Sequence, residues 1–419
     1  MQNKITKILA EKIKDSRGNP TLKVTVWVGD VSTSFSVPSG ASTGTHEAHE
    51  LRDLGGKGVK NAIDKVNNVI APVLVGQDVS NQKEIDRLMI ELDDTPNKDI
   101  LGGNSMIGVS ITCAKVSAKI SNKETYEYLQ TLANIKSSLQ QSSGQARKVP
   151  HLYMNLINGG KHAKNNLAFQ EYHIVTDTEN VVEAVEIGIK VQNSLKEIIK
   201  RELGEESLVL GDEGGFAPKI SDIRKPLLYL NEAIKENDLK GKVHLALDVA
   251  SSSFYEPAST LGGSGFYKVD GKNLSKEEFM NLYSDLIKEF NLFSIEDPFD
   301  EEDFESFALL RKNHDNLIVV GDDLTVTNKV LLQKAIDEKS ISGMIIKPNQ
   351  IGTLSETLET MQLARENDIE LIVSHRSGET DDDFIADLCY AFHCFGLKSG
   401  SPIKPERMVK YKRLGEISK

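Results

Sequence analysis

Leu317-Ile-Val-Val-Gly-Asp-Asp323 is an apolar run that stops on two carboxylates, and Met344-Ile-Ile-Lys347 repeats the idea with an ammonium at its end. The same design occurs at Val243 to Leu247 before Asp248, Leu292 to Ile295 before Glu296, Leu371 to Val373 before Ser374-His375-Arg376, and Cys394 to Leu397 before Lys398. A helical pattern follows each run. From Glu296 onward the terminal residues recur about every 23 to 28 positions, which is the length of one βα unit. An open, doubly wound sheet would show the same alternation. A reactive side chain at almost every run's end favours a closed β/α barrel, because barrel enzymes recruit groups from several strands at one face.

Upstream the pattern changes. Leu22, Val24, Val26 and Val28 alternate with polar residues and Gly29-Asp30 supplies a turn before Ser32 to Ser36, so a half-buried β-hairpin is expected. Helical periodicity follows in Val59, Ala62, Ile63, Val66, Val69, Ile70 and Val73, and again over 85–92, 106–120 and 126–132. Strands first and helices after indicate an α+β unit. The composition turns polar and aperiodic between Ile135 and Pro150, which puts the domain boundary there. The expected architecture is α/β: a smaller N-terminal α+β domain over 1–136 and a C-terminal β/α barrel over 137–419.

Composition bounds the function classes. The chain has 419 residues, 39% hydrophobic and 27% charged, with a formal net charge of -12. That is enough chain for one large domain and one small one. The acidic balance argues against nucleic-acid binding and against an anionic membrane partner, both of which need clustered positive charge. No stretch reaches the roughly 18 uninterrupted apolar residues of a membrane span, and the N-terminal Met-Gln-Asn-Lys-Ile-Thr-Lys has no targeting pattern. Cys113, Cys389 and Cys394 lack the spacing of a zinc site or a redox pair, which suits a reducing compartment and a packing role.

At the run ends, Asp248, Glu296 and Asp323 would meet at one rim. Three oxygen ligands without cysteine suit a hard ion such as Mg²⁺. Lys347, near other cations and a metal, is a candidate general base of lowered pKa. Arg376 and Ser377, with His375, are suited to a phosphate group, and Lys398 adds a point charge for a carboxylate. Away from the runs, Val37-Pro-Ser-Gly-Ala-Ser-Thr-Gly44 is a glycine-bounded loop in which Ser39 is placed to reach a metal. Asn158 to Asn166 is a glycine-hinged segment centred on His162, with Gln170-Glu171 after it, and Glu213 lies between glycines after the run Leu208 to Leu210. A mobile lid and an acid-base carboxyl have these forms.

Taken together these segments resemble the enolase family. The resemblance runs almost end to end, through Asp15-Ser-Arg-Gly-Asn-Pro-Thr21, Val37 to Gly44, Gly211 to Pro218, Ser294-Ile-Glu-Asp-Pro298, Gly321-Asp-Asp-Leu324, Lys347-Pro-Asn-Gln-Ile-Gly-Thr353 and Ser374-His-Arg-Ser-Gly-Glu-Thr380. It implies the reversible dehydration of 2-phosphoglycerate to phosphoenolpyruvate with two Mg²⁺ ions. By that resemblance Asp248, Glu296 and Asp323 look like ligands of the first ion, and Ser39 like a ligand of a second that arrives with substrate. Lys347 looks like the base at C2, and Glu213 like the acid at the C3 hydroxyl, networked with Glu171. Arg376 and Ser377 match phosphate-binding positions and Lys398 a carboxylate-binding one; His162 and Gln170 match the closing loop, and His375 lines the pocket. A lysine base working beside one or two Mg²⁺ ions is the established pattern of the wider superfamily.

The resemblance also implies a homodimer or higher homo-oligomer in the cytoplasm, with a cell-surface or secreted pool left open. Two positions depart from the family pattern: Pro348 after the base, and Phe395 in place of a glycine before Gly396-Leu-Lys398. Each is expected to shift its strand end slightly. A racemase or cycloisomerase of the superfamily would carry a Lys-x-Lys base, and Lys161-His-Ala-Lys164 has the wrong spacing. The other alternative, an enolase-like protein of weak activity used as a binding or structural component, is opposed by the intact set of acid, base and carboxylates.

Overall fold

The computed structural model describes residues 3–41, 44–135, 149–258 and 265–419. The expected domain boundary at 136/137 lies outside them.

Three antiparallel strands open the chain, β1 (Lys7–Lys14), β2 (Pro20–Val28) and β3 (Val31–Ser36). The last two are the expected hairpin. β1 is an addition: its Lys-Ile-Leu-Ala-Glu-Lys-Ile-Lys buries only part of one face, so its alternation is faint. Next come α1 (Lys60–Lys65), which runs through a π turn at Val66–Ile70 into α2 (Ala71–Leu74), then α3 (Gln82–Asp93), α4 (Gly103–Ile120) and α5 (Thr125–Leu132). The π turn presents Asn67, whose amide accepts from Ala10 N–H at 2.7 Å and donates to Ala10 C=O at 3.1 Å, closing one position of the sheet's open edge. α4 lies across the sheet at Gly108, where a β-carbon would come within 2.7 Å of Val24.

The second unit is built from β4 (His151–Asn158), β5 (Glu171–Thr176), α6 (Val181–Leu203), α7 (Lys225–Glu236) and β6 (Val243–Asp248). A small sheet of β7 (Tyr255–Glu256), β8 (Phe266–Val269) and β9 (Lys272–Leu274) follows, then α8 (Lys276–Phe290), β10 (Ser294–Glu296), α9 (Phe304–Asn313), β11 (Ile318–Gly321) and α10 (Lys329–Asp337). The chain finishes with β12 (Gly343–Ile346), α11 (Leu354–Glu366), β13 (Glu370–Ser374), α12 (Phe384–Ala391), β14 (Gly396–Lys398) and α13 (Pro405–Ile417).

These strands close into an eight-stranded barrel in the order β10-β11-β12-β13-β14-β4-β5-β6. All neighbours are parallel except β5, which is antiparallel to both β4 and β6. The parallel period read from the sequence therefore covers six strands and misses β4 and β5. Both are buried at every residue yet carry His, Asn and Glu, so they show neither alternation nor a clean apolar run. The reversal matters for the site: it sets Glu171, the first residue of β5, beside Asn158 and Asp248, the last residues of β4 and β6. The run Leu208 to Leu210 is no barrel strand; Val209 and Leu210 are exposed.

Tyr153, Val175, Ala246, Val320, Ile345 and Ile372 fill the barrel's interior. Phe395 packs below them, its ring stacked on Phe293 at 5.8 Å and against His151 at 4.7 Å. At Phe395 and Pro348 the strand ladders stay regular. β14 stays in register with β13 and β4, and β12 with β13 as far as Ile346; Pro348 begins a short turn, Pro348–Gln350, where its missing N–H is not needed. The three cysteines are buried and unpaired, in keeping with a packing role.

Candidate active site

Side chains two apart on a strand share a face, so each interior residue lifts the residue two further on to the rim. Ala246 lifts Asp248, Ser294 lifts Glu296, Val320 lifts Asp322, Ile345 lifts Lys347, and Gly396 lifts Lys398. Left-handed backbone at Ala250 (φ 47) and Asp297 (φ 44) then turns the chain away behind the first two, a costly conformation that clusters at functional sites.

Asp248 and Glu296 converge on one ammonium. Lys398 Nζ lies 2.8 Å from Asp248 Oδ2, 2.8 and 2.7 Å from the two Glu296 oxygens, and 3.4 Å from Glu171 Oε2. Burial and the Asp248 charge push the Glu296 carboxyl well up, against the pull of Lys398. The donors around Lys398 are hard oxygens, so the cluster fits a divalent ion of the Mg²⁺ class.

Asp323 lines the site's cavity and lies in a cluster with Asp297 and Asp322, but it does not reach Lys398. Its carboxylate packs beside Gly44, where a β-carbon would come within 3.1 Å of Oδ1, because it sits one residue out of phase with the interior. Asp322 is in phase: it pairs with Lys347 Nζ and accepts from Gln350 Nε2 at 2.9 Å. Asp297 fixes the turn, accepting the Asp322 and Asp323 amides at 2.9 and 2.8 Å. Its own carboxyl, pushed up by burial and the Asp322 charge, stands at about 8. The expected depression of Lys347 is reversed in this arrangement. Burial, Arg376 and Lys398 press it down, but the surrounding carboxylates, Asp322 first and then Glu296, leave it raised.

A second cluster joins Glu171, His162 and Glu213, whose ligand atoms lie within 4.8 Å of one another. His162 Nδ1 is 3.1 Å from Glu171 Oε1 and 3.5 Å from Glu213 Oε1. Burial would keep this imidazole neutral, but the two carboxylates raise it. Glu171 also meets His173 Nε2 at 2.7 Å, and despite burial Lys398 and the two imidazoles hold it well down. Glu213 Oε2 accepts from Asn155 Nδ2 at 3.0 Å and faces His375 Nε2 at 3.4 Å.

The third group faces the N-terminal unit. Arg376 grips Glu47 at 3.0 to 3.1 Å and donates to Asn349 Oδ1 at 3.0 Å. Ser377 Oγ is 3.3 Å from Arg17 Nη1. Ser39 does not reach the carboxylates: its hydroxyl donates to Asp15 Oδ2 at 3.0 Å and accepts from Arg17 at 3.0 Å, while Ala41 lines the cavity. Gln170 does, donating to Asp248 Oδ2 at 3.3 Å. His162, Glu171, Glu213, Asp248, Lys347, His375, Arg376, Ser377 and Lys398 all line that one cavity.

Sequence reasoning missed Asp322, Asp297, Glu47, Asn155 and His173. Strand phase alone identifies Asp322, and the Asp-Pro pair after Glu296 hinted at Asp297. Glu47 and Asn155 had no local signal.

Comparison with known proteins agrees with this geometry. Residues 146–419 match the family model for the enolase C-terminal TIM barrel domain, and residues 5–129 that for the enolase N-terminal domain. The chain is 44% identical over 419 residues to the enolase of Methanocaldococcus jannaschii, covering 99% of this chain and 94% of the relative. It is 43% identical to enolase B of Dictyostelium discoideum, with the same coverages, and 40% identical to the enolase of Saccharolobus islandicus, covering 99% and 95%.

Proposed function

Since the chain belongs to the enolase family, we propose that Lys347 and Glu213 divide the proton transfers of its reaction, with Arg376 and Ser377 holding the substrate phosphate. The enzyme is a phosphopyruvate hydratase, a hydro-lyase that interconverts 2-phosphoglycerate and phosphoenolpyruvate. Lys347 Nζ, paired with Asp322, takes the C2 proton. Glu213 gives a proton to the departing C3 hydroxyl and is resupplied from His162, which lies between Glu171 and Glu213; burial and the Glu171 charge raise the Glu213 carboxyl, but His375 and His162 hold it well below its ordinary value, so bound substrate must raise it. Lys398 and Gln170 orient the substrate carboxylate, and His375 steadies Glu213.

The family uses a divalent metal. We assign Mg²⁺ to Asp248, Glu296 and Asp322, with Asp322 taking the place expected of Asp323. When bound, the ion supplies positive charge where the carboxylate dianion develops. The second Mg²⁺ of the family pattern would find Ser39's hydroxyl already committed to Asp15. The observation that carries this reading is the convergence of base, acid and the Asp248 and Asp322 carboxylates on one cavity, with Glu296 joined to it through Lys398.

The same reading divides the chain at 136/137 and makes the protein a cytoplasmic homodimer, which light scattering would check. No described helix is long and apolar enough to cross a membrane. For the chemistry, product absorbance and C2 hydrogen exchange are followed with 2-phosphoglycerate and Mg²⁺. Lys347→Ala should lose both, whereas Glu213→Gln should lose turnover and keep exchange. Full turnover in either variant would sink the assignment.

A further inference from the structure

The C-terminal helix packs behind the site, with Arg407 against His375 and the two residues that follow it. Arg407, near the start of α13, has no exposed surface. Its Nη1 donates to Nδ1 of His375 and, at 2.6 Å, to the Arg376 carbonyl, and its Nη2 donates to the Ser377 carbonyl at 2.8 Å. A guanidinium carries donors only. Nδ1 of His375 therefore presents its lone pair, and the neutral ring keeps its proton on Nε2, the nitrogen 3.4 Å from Glu213 Oε2. Gly400 closes over the ring edge, where a β-carbon would come 3.0 Å from Cε1. An imidazolium would set its Nδ1–H nose to nose with an N–H of Arg407. Burial and Arg407 both favour the neutral ring, and prevail over Glu213 and Glu171, the carboxylates on its other side.

We propose that Arg407 is a positioning residue for the dehydration: by fixing His375 as the Nε2–H tautomer, it decides which oxygen of Glu213 carries the acidic proton. Oε2 accepts from Asn155 Nδ2 at 3.0 Å and faces His375 Nε2 at 3.4 Å. It has no use for a proton of its own. The proton belongs on Oε1, which faces His162 Nδ1 at 3.5 Å. With the opposite tautomer, a lone pair on Nε2 would draw the proton to Oε2, away from its source. This rests on Glu213 being the acid.

The test is ¹H–¹⁵N correlation NMR on the metal-loaded enzyme with ¹⁵N-histidine, His375 being assigned through His375→Gln. The expected wild-type spectrum has a pyrrole-like Nε2 and a pyridine-like Nδ1 for His375. Arg407→Met should move His375 toward the other tautomer and lower kcat by about tenfold or more with KM changed far less, a size typical of a misplaced catalytic group. Arg407→Lys, which keeps a donor, should hold the tautomer and recover most of kcat. A proton on Nδ1 in the wild type would overturn the proposal without any variant, and so would an unchanged His375 signal in Arg407→Met. Failure of the acid assignment reads separately, as full turnover in Glu213→Gln with the tautomer intact.

Discussion

Glu47 and Arg376, 329 residues apart in sequence, form a two-pronged ion pair with N–O distances of 3.0 to 3.1 Å, both side chains buried. Gln350 and the Gly44 amide also donate to Glu47 Oε1, each at 3.2 Å. The pair thus ties the loop after β3 to the guanidinium assigned to the phosphate. Removing one partner of a buried pair leaves the other charge uncompensated, which costs about 3 kcal/mol or more. Glu47→Gln should lose about that much in urea unfolding and raise KM for 2-phosphoglycerate. Unchanged stability would mean that water reaches the pair.

Asp248 and Glu296 share Lys398 as their counter-charge, and a divalent ion would neutralise them better. Binding to the folded state alone stabilises by about 2.7 kcal/mol at a hundred times Kd. Thermal melts should therefore rise on adding Mg²⁺ and fall back with chelator. Asp248→Asn should abolish most of that response, and a full response in the variant would place the ion elsewhere.

Lys410 Nζ lies 2.8 Å from Glu379 Oε2, and Glu379 Oε1 accepts the Arg376 amide at 3.1 Å. Burial pushes the Glu379 carboxyl up, but Lys410 and Arg407 pull it down by more, so it lies below the ordinary 4.5. Between the two values the unfolded chain binds the proton and the folded one does not, so stability rises with pH there. The contribution is complete above the unfolded value and is lost as pH falls through the folded one. Unfolding free energies measured down this range should drop less steeply in Glu379→Gln than in the wild type, from a lower starting point. Parallel curves would show that Glu379 does not titrate with folding.

Most of the barrel was legible because parallel strands buried on both faces leave a recurrent apolar run, and their polar ends marked the rim. β5 was not, since its Glu-Tyr-His-Ile-Val-Thr mixes charged and apolar residues without a period: Glu171 and His173 are buried because they satisfy each other and Lys398. Glu47 and Arg407 were illegible for another reason. Their partners lie on elements distant in sequence, and no periodicity announces a contact between separate elements. Ser39 had the right loop and the wrong neighbour, because Asp15 claims its hydroxyl.

Asp322 and Asp323 are adjacent carboxylates that composition cannot tell apart, and strand phase can. Val320 points into the barrel, so Asp322 follows it inward, and Gly321 and Asp323 take the other phase. The electrostatics agree: Asp322 acts on Glu296, Lys347 and Lys398, while Asp323 is raised by burial, Asp322 and Asp297. A lost inward carboxylate removes both a metal ligand and the counter-charge of the base. Asp322→Asn should accordingly raise the Mg²⁺ concentration needed for half-maximal activity and cut kcat by about a hundredfold, in the range of a group acting directly on proton transfer. Asp323→Asn should leave kcat within about tenfold of wild type, since its carboxylate lines the cavity beside Gly44 but forms no ion pair with Lys347 or Lys398. Magnesium titrations of the two variants side by side decide the matter. The reverse order of damage would return the ligand to Asp323 and would mean that the rim rearranges when the ion binds.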